Sequence, residues 1–447
     1  MMEFLNNPFL KRKIFWFKDF LKGSPLWAQF MDVSYMADNK NVIPGGGKRR
    51  SILLEKILDF TVNTIPYYKG LNYSKLSDFP IINKQKILEK YSDFCAPIDK
   101  IPGQKGILHR QKTSGSTGTP FEVPQDTRNR IRRIATIKYE NEQIGFHSFE
   151  PMMHLRAISH YWSDGTKERF DKNLNIWYVD NANLTDIRVK EILQIIIDNK
   201  IKVVRGYMTT LDTLTRYAVE NNIKLSNEIT FISVGELLLE SLRYRVAEVL
   251  GCKIVSQYGN EENGVFGQSE INGPGNSINL NCANCFIEIL KLDSDEPASI
   301  GEVGRIVVTD FTNYALPMIR YEIGDLGAPG KILEDGAISR IDKLSGRKND
   351  MILRTDGSAF DLFNSFPKEI FNNPGIRQYQ FIQHTKNHYT LKLSVKDKTT
   401  FKESDSFKLL LCKMLGEGAQ LQVELVDELP VLNSGKRKIV INELNNK

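Results

Sequence analysis

Thr113-Ser114-Gly115-Ser116-Thr117-Gly118-Thr119-Pro120 gathers hydroxyl side chains and two glycines into one run closed by proline. Glycine lets several backbone N–H groups turn toward one point, and Ser and Thr hydroxyls add donors with little bulk. The oxygens of a phosphate fit such a loop. The run lacks the lysine of a G-x-x-x-x-G-K-[ST] loop, so it is not one of that kind. Taken alone it also reads as a polar surface turn. Its flanks favour the first reading: Phe121-Glu122-Val123 is strand-like and Arg128–Ile144 spells a long basic helix, giving strand, loop, strand, helix.

Downstream, strand-like and helix-like stretches alternate. Met152–Ile158, Asn175–Val179, Lys202–Arg205, Phe231–Val234 and Lys253–Gln257 read as strands, and Thr185–Asn199, Thr209–Asn221 and Leu238–Leu250 read as helices. That alternation predicts an α/β fold with a parallel sheet covered by helices on both faces. Ligands gather at the carboxyl ends of such strands. Gly206, Gly235-Glu236 and Tyr258-Gly259 each follow a strand there. Beyond Gly264, shorter strands with Gly and Pro turns predict a mainly antiparallel β subdomain. Residues 346–447 mix strands and helices as a small α+β domain, against a large domain spanning 1–345.

The chain has 447 residues, long enough for more than one core. Hydrophobic residues are 41% and charged residues 26%, which excludes a disordered chain. The net charge of +6 comes from 60 basic and 54 acidic residues spread along the sequence. It does not argue for nucleic acid and is compatible with small anionic substrates. Five cysteines do not make a disulfide framework, which fits the cytoplasm. No apolar stretch is long enough to span a bilayer, and the N-terminus lacks the apolar core of a signal peptide. Phe15, Trp16, Phe17, Phe20 and Leu21 can form one face of an amphipathic helix, which either docks on the domain or touches a membrane surface. Nothing in the sequence fixes the oligomeric state.

Further stretches can carry chemistry. In Gln257-Tyr258-Gly259-Asn260-Glu261-Glu262-Asn263-Gly264, a strand ends in a loop with two acids, and a carboxylate there can hold Mg2+ with substrate phosphates. Asp325, in Gly324-Asp325-Leu326-Gly327, can accept hydrogen bonds from two ribose hydroxyls or cap a turn. Arg347 stands between the β subdomain and the last domain, and Lys436 sits in the turn Asn433-Ser434-Gly435-Lys436, from which a lysine can reach an anionic centre.

Together and in this order, these stretches resemble the adenylate-forming superfamily of acyl-CoA synthetases, luciferases and peptide-synthetase adenylation domains. Ile65-Pro66-Tyr67-Tyr68, Phe79-Pro80-Ile81-Ile82-Asn83-Lys84, Thr113–Pro120 and Arg320-Tyr321-x-x-Gly324-Asp325-Leu326-Gly327 make the chain most similar to the phenylacetate–CoA ligase branch, CapK-like proteins included. The resemblance covers nearly the whole chain. It implies that Thr113, Ser114, Gly115, Ser116, Thr117, Gly118 and Thr119 meet the phosphates of ATP. Gly235 and Glu236 lie where adenine packs, Tyr258 with Gly259 stacks near it, and Glu262 helps bind Mg2+. Asp325 binds the ribose hydroxyls and Arg347 approaches the ribose or phosphate. Lys436 is the catalytic lysine of a mobile C-terminal domain.

The expected reaction is activation of a small carboxylic acid as its acyl-adenylate, followed by transfer to a thiol or an amine. Coenzyme A is the default acceptor of the phenylacetate branch, and an amino sugar or other amine, in polysaccharide or secondary-metabolite biosynthesis, is the alternative. A scaffold that kept the fold without catalysis is a further alternative. The family often carries aspartate at the hinge where this chain has Asn349, with Asp350 following. In the segment 145–164, where the acyl pocket should begin, His154, Arg156, His160, Tyr161 and Trp162 can hold a polar or anionic acid. Cys282-Ala283-Asn284-Cys285, even with Cys252, lacks an evident fourth ligand, which weighs against zinc.

Overall fold

Helix formation at the N-terminus follows from two caps. Asn7 accepts from the backbone N–H of Phe9 at 2.9 Å and starts α1 (Pro8–Leu21). Near the end of that helix, Asp19 turns its carboxylate back onto the N–H groups of Leu26 and Trp27, at 3.2 and 2.9 Å, and so caps α2 (Pro25–Asp38). A computed structural model describes residues 7–42, 45–113, 121–157, 165–360, 367–371, 373, 375–430 and 437–444.

In chain order, α3 (Gly46–Thr64) leads to a hairpin of β1 (His109–Thr113) and β2 (Phe121–Gln125), then to α4 (Thr127–Gln143). There follow β3 (Met152–Arg156), β4 (Glu168–Asp171), β5 (Ile176–Asp180), α5 (Asp186–Asp198), β6 (Val203–Tyr207), α6 (Met208–Glu220) and β7 (Thr230–Val234). The next strands are β8 (Lys253–Asn260), β9 (Gly264–Gln268), β10 (Ile278–Leu280), β11 (Cys285–Leu290), β12 (Gly304–Asp310), β13 (Tyr321–Ile332) and β14 (Ile338–Arg347). The C-terminal part holds β15 (Ile352–Leu353), β16 (Ala359–Phe360), β17 (Ile376–Gln383), β18 (His388–Val395), α7 (Ser404–Leu415), β19 (Gln420–Val426) and β20 (Val440–Asn442). Among the described residues no helix is long and apolar enough to cross a membrane.

The chain divides into two units. The first comprises Met1–Met152, Asp171–Ile176 and Val255–Leu344. Its strands run in the order β11-β12-β13-β14-β10-β9-β8. The pairs β11/β12, β12/β13, β14/β10, β10/β9 and β9/β8 are antiparallel, as expected for the β subdomain. Helices α2 and α4 share a core of Leu26, Phe30, Val33, Met36, Ala135 and Phe311, with Phe15 and Trp16 of α1 packed against it. Phe17, Phe20 and Leu21 point elsewhere and stay exposed, so only part of the aromatic face of α1 docks on the unit. Arg132 of α4 is buried in this unit, donating to Asn284 Oδ1, Gln29 Oε1, Ala283 O and Asp32. These bonds also explain why Asn279–Leu292, which reads as one strand, splits in two. Cys282 takes φ +56°, while Asn281 and Asn284 turn their side chains onto Glu140 and Thr136 of α4.

The second unit comprises Met153–Phe170, Trp177–Ile254 and Ser345–Lys447. Its larger sheet runs β7-β6-β3-β5-β4, with β6 and β7 parallel. Val189, Ile192, Leu193 and Ile196 of α5 recur every three or four residues and are all buried. A four-stranded sheet, β19-β18-β17-β20, is antiparallel in its centre and parallel at both outer pairs. Phe381, Leu391, Leu411 and Leu421 of this small sheet and its helix join the same core as Phe231, Leu211 and Val204. Fully burying one such side chain stabilises by about 1.5–3 kcal/mol. The stretch 238–250 departs from a plain helix: Glu240–Tyr244 is α-helical and Arg245–Val249 a π turn, at which Arg245 reaches Asp212.

Candidate functional site

In the first unit, Thr113 closes β1 directly opposite Phe121, the first residue of β2. Ser114, Gly115, Ser116, Thr117, Gly118 and Thr119 lie outside the described residues, as do Lys436 and the pocket candidates His160, Tyr161 and Trp162. The strand feeding the loop is tied to the acidic turn: Gln111 of β1 donates from Nε2 to Glu261 Oε2 at 2.8 Å. Arg133 of α4 holds the same turn by its backbone, donating to Glu262 O and Glu261 O at 3.0 Å each. The sequence offered no signal for Gln111 or Arg133, because each acts on a segment more than a hundred residues away.

Tyr258 and Gly259 do not follow the strand; they are part of it. Tyr258 pairs with Gly267 across β8/β9, and the register shifts between Tyr258 and Gly259. A side chain on Gly259 is impossible here, since its Cβ would stand 2.2 Å from Gly264 O. Asp325 also lies within a strand. On β12/β13, Arg305 pairs with Leu326 and Val307 with Glu322, so Ile323, Gly324 and Asp325 oppose Ile306 alone. Gly324 turns this bulge with φ +83°. A bulge re-aims side chains off the ladder. The two bulges bring their residues together: Tyr258 Oη donates to Asp325 Oδ2 at 2.9 Å. Tyr258 is buried and Asp325 half-buried.

The segment ahead of Asp325 is anchored. Arg320 is buried with φ +48° and donates from Nε and Nη2 to Glu288 at 3.2 and 3.1 Å. Its Nη1 reaches Ser77 O and Phe79 O, both at 3.2 Å. Ile82 bridges Tyr321, with Ile82 N–H donating to Arg320 O and Glu322 N–H to Ile82 O. Phe79–Lys84 and Arg320–Gly327, two stretches on which the resemblance rests, therefore hold one another.

In the second unit, Gly235 follows β7 with φ +70°. Glu236 caps α6: its carboxylate accepts from Thr209 N–H at 2.9 Å and Thr209 Oγ1 at 3.3 Å. Along α6, Asp212 is bound by Arg216 Nε at 2.8 Å and Arg245 Nη1 at 2.6 Å. Despite the cost of burial, these two guanidinium groups pull its pKa down to about 2. Arg216 Nη1 also reaches Ile376 O of β17 at 3.4 Å, and Lys396 pairs with Glu220 at 2.8 Å. His154 on β3 lies 6.0 Å from the ring of Tyr178. Desolvation, then Arg205 and Arg156, push its imidazole down to about 3, so it is neutral at pH 7. Arg347 is exposed at the end of β14, and Asn349 and Asp350 fall in the short turn after it.

The cysteines behave as packing. Cys282 and Cys285 are buried, and burial pushes the Cys282 thiol up to about 11. Cys282 Sγ donates to Ile338 O at 3.4 Å. Among the described residues no three His, Cys, Asp or Glu side chains gather to hold a metal.

The fold is similar to that of solved CoA ligases. The chain aligns with 2-hydroxyisobutyryl-CoA ligase, solved in the postadenylation state in complex with 2-HIB-AMP, at a TM-score of 0.66 and 15% identity, over 90% of each chain. In sequence it is similar to CapK and to phenylacetate–CoA ligases. Residues 362–443 match the family described as the CapK C-terminal domain. Protein CapK of Staphylococcus aureus is 22% identical over 395 residues, 84% of this chain and 82% of that protein. The phenylacetate-coenzyme A ligase of Thermus thermophilus is 33% identical over 296 residues, 61% of this chain and 63% of the relative.

Proposed function

We propose that the chain is an ATP-dependent ligase that converts a small carboxylic acid to its acyl-adenylate with release of pyrophosphate, then passes the acyl group to coenzyme A. One observation carries the reading: two strand bulges, at Tyr258 and Asp325, join their side chains in a hydrogen bond, within a fold shared with a ligase solved on its acyl-adenylate. A carboxylate oxygen has lone pairs to spare after accepting from a tyrosine, so Asp325 can also accept from ribose hydroxyls. Tyr258 and Gly259 flank the adenine, with Gly235 and Glu236 supplying backbone beside it. Thr113 to Thr119 receive the phosphates, and Arg347 approaches the ribose or the α-phosphate. Glu262 would hold Mg2+ together with the substrate phosphates, and the ion would supply neutralising charge.

Attack of a carboxylate on an α-phosphate brings two anions together. Lys436 offsets that repulsion as a point charge and keeps the reacting groups in line. We assign it to a domain of residues 346–447 that moves relative to residues 1–345, so one site serves both half-reactions. His154, Arg156 and Arg205 give the acyl side a polar, cationic wall suited to an acid that carries a second polar group. A second reading has an amine as acceptor, supported by a likeness of fold to the amide bond synthetase McbA from Marinactinospora thermotolerans.

Acid-dependent ATP–pyrophosphate exchange tests the adenylation step. Exchange is expected with at least one acid of a broad panel and is lost in Lys436→Ala. Turnover that then requires coenzyme A supports the thiol acceptor, and turnover with amines alone the second reading. ATP that stabilises the fold without exchange on any acid would replace the enzyme with a nucleotide-binding scaffold.

A further inference from the structure

We propose that α1 and α2 form a docking surface for an anionic lipid membrane. Helix α1 has two apolar faces, and folding uses only one. Phe15 and Trp16 pack on the core of the first unit, and buried Asp19 caps α2. On the other side, Phe9, Phe20, Phe17, Leu21 and Ile14 are all exposed, Phe17, Phe20 and Leu21 at 60%, 66% and 68%. At about 100° per residue these five side chains fill one arc of about 140°. The arc continues onto α2. Trp27 packs edge-on against Trp16 at 5.0 Å, and Trp27, Met31 and Tyr35, spaced every four residues, are each more than two-fifths exposed.

The charges select the occupant. Lys11, Arg12, Lys13, Lys18 and Lys22 lie on α1 and its C-cap, where the sole acid, Asp19, is turned inward. The acids of α2 are also spoken for: Asp32 is paired with Arg49 and Arg132, and Asp38 accepts from Tyr139. The exposed charges of α1 and its C-cap are thus all basic, and the one exposed acid of α2, Asp38, is engaged by Tyr139. Lys13 lies 4.5 Å from the Phe9 ring, keeping its ammonium at the edge of apolar surface. Phe, Trp and Leu in one arc with flanking Lys and Arg is the pattern of a helix lying in the plane of a lipid headgroup region. An amphipathic helix of this length binds reversibly and with strong dependence on anionic lipid and salt.

Vesicle flotation of the full-length protein tests this, using phosphatidylcholine vesicles with and without phosphatidylglycerol. Binding is expected on the anionic vesicles at low salt and is lost on phosphatidylcholine alone. Phe17→Ser with Phe20→Ser should weaken binding more than about tenfold. Both side chains are exposed, so thermal melting should stay unchanged. Lys13→Gln with Lys18→Gln, which leaves every aromatic side chain in place, should remove the preference for anionic vesicles even if the first variant folds poorly. No flotation of the wild-type chain on anionic vesicles, or equal binding by both variants, overturns the proposal. So does a concentration-dependent dimer abolished by Phe17→Ser with Phe20→Ser in a chain that ignores vesicles.

Discussion

Replacing Glu140 by Gln should change the pH dependence of stability in a calculable way. Glu140 lies on α4 and is 3% exposed. Its Oε1 accepts from Asn281 Nδ2 at 2.9 Å, and its carbonyl accepts from Gln268 Nε2 at 2.8 Å. The residue thus ties α4 to the β9/β10 hairpin. Burial raises its pKa to about 7, from an ordinary value of 4.5, against the smaller opposing pulls of Asn281 and Lys40. Between those values the folded chain keeps a proton that the unfolded chain releases. The stabilisation is therefore complete below about pH 4.5 and is lost as the pH rises through about 7. The slope is at most ~1.4 kcal/mol per pH unit, and the whole loss is about 3 kcal/mol.

Glutamine keeps the acceptor for Asn281 and has no proton to lose. Groups elsewhere titrate alike in both proteins and cancel in the difference. Urea unfolding followed from about pH 5 to about pH 8 should show Glu140→Gln gaining ~2–3 kcal/mol on the wild-type chain, almost all of it below pH 7. Parallel curves over the window would show that the carboxyl is already ionised when folded, and would refute the reasoning.

Tyr258→Phe removes one hydrogen bond to a carboxylate, worth about 1.5–3 kcal/mol, and should weaken ATP binding at least about tenfold by calorimetry. Tyr258→Phe and Asp325→Asn together should then cost less than the sum of the two single changes, and strict additivity would separate the pair. Asp212→Asn leaves Arg216 and Arg245 without their shared carboxylate, and should cost about 3–5 kcal/mol. Because Arg216 also reaches Ile376, limited proteolysis of this variant should release fragments from 345–447 first, and a wild-type cleavage pattern would count against the link.

The α/β class was legible because buried strands and helices carry different periods. The apolar spacing of α5 and the continuous Phe231–Val234 run are printed in the chain itself. The strands and helix between residues 376 and 426 were legible for the same reason. The geometry of the candidate site was not. Reading Tyr258 and Asp325 as loop residues was natural, since each stands beside glycine. A bulge depends on the register of the partner strand, and register belongs to a pair of segments rather than to one. Glu236 shows the same limit from the other side. Its place after β7 could be read, whereas its grip on Thr209 needs the start of α6, which comes earlier in the chain. Gln111, Arg133 and Glu140 escaped because each acts on a hairpin far along the sequence.

The run Arg320–Gly327 is better understood as two devices than as one motif. Its second half puts Asp325 on a bulge, where the ladder no longer fixes the strand. Left to itself, such a stretch can slip back into register, which would turn Asp325 away from Tyr258. Its first half prevents this. Arg320 is held by Glu288 and by two carbonyls of the segment 77–79, while Ile82 adds a bridge to Tyr321. That explains why the Phe79–Lys84 stretch, which carries no obvious chemistry, keeps company with the carboxylate in the sequence pattern: it clamps the strand from which Asp325 is presented. The cost of burying Arg320 at positive φ is therefore tied to the placement of a carboxylate five residues later. A substitution at Glu288 should act on Asp325 without touching it.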